Sequence, residues 1–263
     1  MQSKPHPHIN WIEEDEPLPE PESAWDQSSR APGLVAAGED LSTKRLREAY
    51  AKGIFPWYSE SQPVLWWSTD PRMVLMVDHF KIHHSFKKTL TAFIKNPSCE
   101  IRIDSDFARV IQNCALRPAK PKAGEDQTQK DEHTQSPGTW ILQQMQDVYC
   151  AAHLEGFTHS VETWVGGVLV GGLYCVSFGK AVFGESMFSL QKDASKIALA
   201  ALVAFCRANK IVMIDCQQNT DHLASLGAKE IPRTRFIESI KISQTEQAPD
   251  WQFKRDYWQT LLE

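Results

Sequence analysis

The chain has 263 residues, 42% apolar and 23% charged, with a net charge of −5. That length suits one large domain or two modest ones, and the composition is that of a soluble globular protein, not a fibrous or disordered one. The first thirty residues hold seven acids and two bases and so carry the whole net charge; the neutral remainder excludes a large basic face gripping long nucleic acid, though not contact with a nucleic-acid end.

Residues 1 to about 33 are rich in Pro and acids and read as an extended arm, ordered only where Ile9, Trp11, Leu18 or Trp25 finds a partner. The arm has no apolar h-region, so no signal peptide is expected. Next, "LSTKRLREAYAKGIFPW" gives a helix with Ser42 as N-cap, Leu46, Ala49 and Tyr50 as its apolar face and Gly53 at its end. Aromatic segments follow, and Met73 to Val77 reads as a strand. "HHSFKKTLTAFIKN" is an amphipathic helix over Ile82 to Asn96. "CEIRIDSDFARVIQNCAL" is a strand and then a helix capped by Asp104 or Ser105. Residues 118–137 are polar and of low complexity, a solvated insertion. "TWILQQMQDVYCAAHLEGF" is a fourth helix, ending near Gly156.

A β-meander comes after it. Ser160–Val165, Val168–Val176 and Ala181–Phe188 turn at Gly166-Gly167 and at Gly179-Lys180. The stretch "WVGGVLVGGLYCVSFG" is barely long enough to span a membrane, and its glycine pairs suit hairpins better. A nearly all-apolar helix, Ala194 to Ala208 with Asp193 as cap, must be packed on more than one side. The strand Ile211–Gln217, a short helix ending at Gly227 and a last strand around Phe236–Ile240 complete the chain. Strand, crossover helix, strand places Phe183–Phe188 and Ile211–Gln217 parallel and adjacent, and such strands splay at their C-terminal ends into a crevice.

Alternation decides what faces that crevice. Ile211, Met213, Asp215 and Gln217 share one face; Val212, Ile214 and Cys216 share the other. On the preceding strand Phe183, Glu185, Met187 and Ser189 share a face. Two carboxylates, Glu185 and Asp215, then meet beside an apolar wall carrying Met187, which suits a general base or an ammonium site next to a hydrophobic pocket. An acid closing an apolar strand is equally a cap or an ion-pair partner. Cys216 with His222 imitates a thiol nucleophile and base, but alternation sends Cys216 into the core. His79, His83 and His84 include a metal-like spacing without a third ligand, and a solvated helix start is the plainer reading. Cys99, Cys114, Cys150, Cys175, Cys206 and Cys216 are scattered with no C-x-x-C pair, the usage of a reducing compartment. Trp57, Trp66, Trp67 and Trp140 serve packing, although a Trp in "FPWYS" also suits stacking on a base.

Taken together, "GLVAAGEDLS", "AYAKGIFPWYSESQPVLWWSTDPRMVL", "GTWI", "GGLYCVSFGKAVFGESMFSLQKDASKIALAALV" and "IDCQQNTDHLASLGAKEIPRTRF" resemble the leucyl/phenylalanyl-tRNA–protein transferase family, in order, from Gly33 to Phe236. The stretch 118–137 is extra to the family pattern. The resemblance implies an α+β protein: a small N-terminal α/β domain with its arm, residues 1–71, and a larger catalytic domain of acyl-CoA N-acyltransferase-like fold, residues 72–263. It implies transfer of Leu or Phe, and less well Met, from aminoacyl-tRNA to the N-terminal α-amine of proteins beginning with Arg or Lys, marking them for N-end-rule degradation in the cytoplasm. No cofactor, metal or membrane is implied. "SLQKDASK" stands where the related fold has its Gly-rich turn for coenzyme A, which agrees with a donor other than coenzyme A. Carried over by motif, Asp215 is the catalytic carboxylate with Gln217 as its partner, and Glu185 is the acid of "GESMF". Trp57 and Trp140 contact the aminoacyl-adenosine end, and Leu173, Met187 and Phe188 line the side-chain pocket. In the resulting hypothesis Asp215, through Gln217, takes the proton of the attacking amine while Glu185 attracts the acceptor's positive charge. The rival readings are a coenzyme A-dependent N-acyltransferase and a non-enzymatic tRNA- or peptide-binding adaptor.

Overall fold

A computed structural model describes residues 8–116 and 141–262; Trp140 and the stretch 118–137 lie outside them. The elements run β1 (Trp11–Ile12), β2 (Leu34–Gly38), α1 (Thr43–Ala51), β3 (Phe55–Pro56), β4 (Val64–Trp67), β5 (Arg72–Met76), α2 (His84–Lys95), β6 (Cys99–Ile103) and α3 (Phe107–Ala115). They continue with α4 (Gln143–Leu154), β7 (Thr158–Val165), β8 (Val168–Phe178), β9 (Ala181–Ser189), α5 (Ala194–Ala208), β10 (Met213–Asp215), α6 (Asp221–Ser225), β11 (Lys229–Ile231), α7 (Arg233–Ser243) and α8 (Gln259–Leu262). Two sheets form an α+β frame. The first has the order β1-β2-β4-β3, and the second has the order β11-β5-β10-β9-β8-β7-β6.

The N-terminal arm is tied down where its apolar residues find cover. Leu18 and Ile12 are buried, whereas Ile9 and Trp11 stay half-exposed. The guanidinium of Arg45 on α1 donates to the backbone carbonyls of Glu13, Glu14 and Glu16, so the acid-rich run is held through its main chain. Helix α1 starts as its sequence dictates: the Ser42 hydroxyl accepts the Arg45 N–H at 3.1 Å. It stops before Gly53, whose φ of +71° is a conformation that favours glycine.

The second sheet is sandwiched between two apolar layers. On one face Phe183, Tyr174 and Tyr149 join Tyr50 and Trp66 of the N-terminal unit and Phe236 of α7 in one continuous core. On the other, α5 and α2 pack with Leu173, Val182 and Ile214 under the C-terminal Trp258. The approach of α5 to the sheet depends on Gly171, where a Cβ would stand 2.5 Å from that of Ala194. As alternation and crossover predict, β9 and β10 are parallel neighbours, with Ile214 opposite Val182 and Asp215 opposite Phe183.

Several expectations are corrected. The segment Phe236–Ile240 is helical, within α7, and Phe236, Ile237 and Ile240 form its buried side. Their i, i+1, i+4 spacing is a helix face, which the β-branched run had masked. The last strand is Lys229–Ile231 instead. Helix α3 begins after Asp106, not after Asp104 or Ser105, and the buried Glu162 carboxylate takes the Asp106 N–H at 2.8 Å. Asp193 precedes α5 but makes no capping bond; it pairs with Lys196 at 2.8 Å, and the Ser189 hydroxyl accepts the Ser195 N–H. Strand β10 is shorter than expected at both ends, and at its C-terminal end Gln217 takes φ +53° and leaves the extended region.

Candidate active site

The crevice opens where β9 and β10 part company. Beyond Phe183 the next residue of β9 is Gly184, beside the carbonyl of Asp215. Then β9 bulges. Gly184 pairs with Cys175 and Ser186 with Tyr174, so Glu185 has no partner on β8. An extra residue bends the strand and shifts its alternation by one. Phe183 and Phe188 therefore belong to one core layer, while Val182 and Met187 belong to the other. The expectation that Phe183, Glu185, Met187 and Ser189 share one face fails for this reason. Glu185 reaches the Phe183 side, and Met187 lines the apolar pocket on the opposite side.

A cavity of about 890 Å³ runs through this gap. Its lining includes Trp57, Leu173, Glu185, Met187, Phe188, Asp215 and Gln217, so the structure brings together every proposed site residue that it describes. Trp57 is 40% exposed, and its ring lies 5.7 Å from that of Trp67. Leu173 and Met187 face each other across the β8–β9 ladder and make an apolar floor with Leu199, Leu202, Ile214 and Leu223.

The polar groups form one chain. Asp215 is 1% exposed and gives both carboxylate oxygens to Arg72, at 2.8 Å from Nε and 2.7 Å from Nη2. Arg72 is itself fully buried, with its guanidinium 4.8 Å from the Phe55 ring centre and 4.5 Å from that of Phe236. A desolvated, bidentate pair of this kind fixes geometry. Asp215 Oδ1 also accepts the Gln217 N–H at 3.0 Å, which holds Gln217 in its left-handed conformation, a backbone state that costs a non-glycine residue roughly 1 kcal/mol or more. The Gln217 carboxamide then donates to Glu185 Oε1 at 2.9 Å. On its other oxygen Glu185 accepts from the Tyr149 hydroxyl at 3.3 Å, and the hydroxyls of Tyr149 and Tyr50 are 2.6 Å apart. Burial pushes the Glu185 carboxyl up to about 8; the Asp215 charge adds to the rise, while Tyr50, Tyr149 and Arg72 oppose it. This is a carboxyl whose protonation changes near neutrality, beside one whose two oxygens are occupied by a guanidinium.

Cys216 sits on the face opposite Asp215, packed with the second core, as alternation requires. Burial, followed by the Asp215 charge, pushes its thiol far above the ordinary range, so it is no thiolate nucleophile. Among the described residues no three His, Cys, Asp or Glu side chains are grouped to hold a metal. Sequence reasoning missed Arg72, Tyr50 and Tyr149 as parts of the site. Tyr50 is one member of the apolar stripe of α1, and Arg72 lies just before the strand expected from Met73 to Val77. The signal for Arg72 was its position at the start of an apolar strand that lies next to β10.

Models of the leucyl/phenylalanyl-tRNA protein transferase family match residues 74–241, and the model of that family's N-terminal domain matches residues 39–70. A leucyl/phenylalanyl-tRNA–protein transferase of Albidiferax ferrireducens is 52% identical over 262 residues, covering 100% of this chain and 97% of that protein. One from Methylibium petroleiphilum is 55% identical over 248 residues, covering 94% of this chain and 88% of that protein. A crystal structure of a functionally unknown conserved protein from Staphylococcus epidermidis aligns with a TM-score of 0.37 at 10% identity over 76% of this chain and 68% of that one, too distant to bear on the fold.

Proposed function

Because the chain belongs to the leucyl/phenylalanyl-tRNA–protein transferase family, we propose that it moves Leu or Phe, and less well Met, from aminoacyl-tRNA to the N-terminal α-amine of proteins beginning with Arg or Lys. The product would enter N-end-rule degradation, and the site of action would be the cytoplasm; no helix among the described residues is long and apolar enough to cross a membrane. The observation that carries this reading is the cavity itself, which sets a carboxylate–amide–phenol network directly against an apolar floor.

The chemistry is aminolysis of an ester. The apolar floor of Leu173 and Met187 takes the donor side chain, and an apolar pocket separates side chains by only about 1–3 kcal/mol per methylene, so Leu, Phe and Met overlap as substrates. Phe188 lines the same cavity, and Trp57 at its wall offers a face to the terminal adenine. Trp140 is proposed for the same task from its motif alone. Asp215, Gln217 and Glu185 form the acid–base apparatus and receive the cationic acceptor. Holding two substrates in one crevice supplies a large share of the rate, since well-oriented groups gain about 7–11 kcal/mol over free encounter. The second unit, with its meander, crossover helix and splayed parallel pair, is read as acyl-CoA N-acyltransferase-like, with aminoacyl-tRNA in place of coenzyme A and no cofactor; residues 1–71 are read as a separate small domain. Purified protein mixed with radiolabelled Phe-tRNA and a peptide beginning with Arg, without coenzyme A, tests the function. Label in the peptide supports it. No transfer from any charged tRNA, or transfer only when an acyl-coenzyme A is supplied, refutes it.

A further inference from the structure

We propose that Tyr149, backed by Tyr50, is a positioning residue that fixes Glu185 as the proton acceptor of the transfer, with Asp215 serving as an anchored charge that sets Gln217. This rests on the transferase reading above. The two carboxylates differ in what each is free to do. Both Asp215 oxygens lie within 2.8 Å of Arg72 nitrogens, and Oδ1 also takes the Gln217 N–H. A proton moved onto Asp215 would leave the Arg72 guanidinium buried beside a neutral acid, an expensive state. Glu185 differs. It lines the cavity, is only partly covered, and is held by neutral donors: the Gln217 amide on one oxygen and the Tyr149 hydroxyl on the other. Neutral donors steady a carboxylate without a permanent counter-charge, so the group can take a proton and give it back.

The two phenols are built for this task. Tyr50 and Tyr149 are completely buried, come from α1 and α4 on different parts of the chain, and meet at 2.6 Å. Burial is the first cause that drives both phenols well above their ordinary range, so they remain donors throughout. The Tyr50 hydroxyl orients that of Tyr149, and Tyr149 points its proton at Glu185. Around Glu185 the full charges are Arg72 on β5 and Asp215 on β10. Tyr174 and Cys175 on β8, both buried and neutral, and His222 of α6 on the cavity wall are the other titratable neighbours.

The step balances as follows. The acceptor's amine nitrogen attacks the ester carbonyl carbon, and a C–N bond forms while the carbonyl π pair moves to oxygen. The Glu185 carboxylate takes one N–H proton. The electron pair returns, the C–O bond to the ribose breaks, and the departing oxygen takes the proton from Glu185. Ester and amine become amide and alcohol, and Glu185 ends ionised. An α-amine titrates near 8. Near neutrality a fair fraction of the acceptor is therefore already the neutral nucleophile, and as the C–N bond forms its N–H becomes acidic enough to pass to the Glu185 carboxylate.

The test is the pH dependence of transfer, counted as label in the peptide so that spontaneous loss of aminoacyl ester is excluded. At saturating Phe-tRNA the wild-type rate is expected to rise steeply below about pH 8, where both the acceptor ammonium and Glu185 lose their protons, and to level off above it; the part due to Glu185 is read from the shift between wild type and variants on the same peptide. In Tyr149→Phe a donor that favours the ionised form of Glu185 is gone, so the inflection moves upward by about one half to one pH unit; the rate falls roughly three- to tenfold at pH 7 and is recovered at high pH. Tyr50→Phe removes the other phenol that favours the ionised Glu185, so it moves the inflection upward at least as far, and it serves if Tyr149→Phe does not fold by circular dichroism. A drop of equal size at every pH, with the inflection unmoved in both variants, leaves the phenols a purely structural role and overturns the proposal. Transfer by wild type with unmoved inflections spares the transferase reading; absence of transfer by wild type sinks both.

Discussion

Removing one member of the Arg72–Asp215 pair should cost far more than removing both. Each side chain is almost wholly buried, the contact is bidentate, and Arg72 is wedged between Phe55 and Phe236. Arg72→Met would leave a carboxylate buried without its cation, and Asp215→Leu would leave a buried cation. Each single change is expected to destabilise the fold by about 3–5 kcal/mol, because an uncompensated buried charge is the costly outcome. For a chain of this size about 1 kcal/mol lowers the melting midpoint by roughly 2–4 °C, so each variant should melt about 6–20 °C below wild type. The double variant replaces the ion pair with apolar side chains and should return to within about 2 kcal/mol of wild type. Urea unfolding of all four proteins reads the coupling. A coupling within about 0.5 kcal/mol of zero would show that the two groups contribute independently and would refute the reasoning. Transfer adds a second check. The double variant regains the fold but not the Asp215 bond to the Gln217 N–H, so its activity should stay low.

Three further outcomes follow from the same geometry. Cys216→Ala should keep transfer within about twofold of wild type, since burial keeps its thiol protonated although it lines the cavity; loss of all transfer would revive the thiol. Leu173→Ala enlarges the floor opposite Met187 and should favour Phe over Leu by up to about tenfold in kcat/KM, measured with both charged tRNAs in competition; an unchanged ratio would place the donor side chain elsewhere. Glu185→Gln should gain stability over wild type as pH rises. The folded Glu185 holds its proton up to about 8 whereas the unfolded chain releases it near 4.3, so between these values the folded wild type binds more protons and loses stability with rising pH, a loss that Gln lacks. A difference that stays constant from pH 5 to 8 would contradict the burial of that carboxyl.

Much of the architecture is legible in the residues because local rules and tertiary demands agree there. Ser42, the Leu46-Ala49-Tyr50 stripe and Gly53 mark α1 at both ends and along one face. The all-apolar run Ala194–Ala208 declares a helix covered on both sides, and the Gly166-Gly167 pair, with φ of +58° and +76°, declares a hairpin. The meeting of Glu185 with Asp215 followed from strand alternation plus a crossover. Legibility ends where geometry departs from a regular ladder. Alternation assumes that each residue has one partner across the sheet, and nothing in "VFGESMF" announces that Glu185 has none. It also treats a charge as solvated unless a partner is visible, and the partner of Asp215 lies 143 positions earlier in sequence. The tyrosine pair is hidden for a related reason: each phenol sits on the inner face of a good amphipathic helix, where the ring explains itself and the hydroxyl goes unnoticed. The segment from Phe236 to Ile240 shows the reverse error, with β-branched residues outweighing a spacing that was already helical.

The one-residue excess in β9 makes the reactive apparatus separable from the scaffold that carries it. A chain lacking that single residue would keep Gly184 opposite Cys175 and Ser186 opposite Tyr174, and so every rung of the ladder on either side. The frame would be satisfied and the apparatus silent. Deleting that residue would therefore remove the apparatus while leaving the ladder intact, and its cost would fall on the Tyr149 hydroxyl and the Gln217 carboxamide, which lose their acceptor.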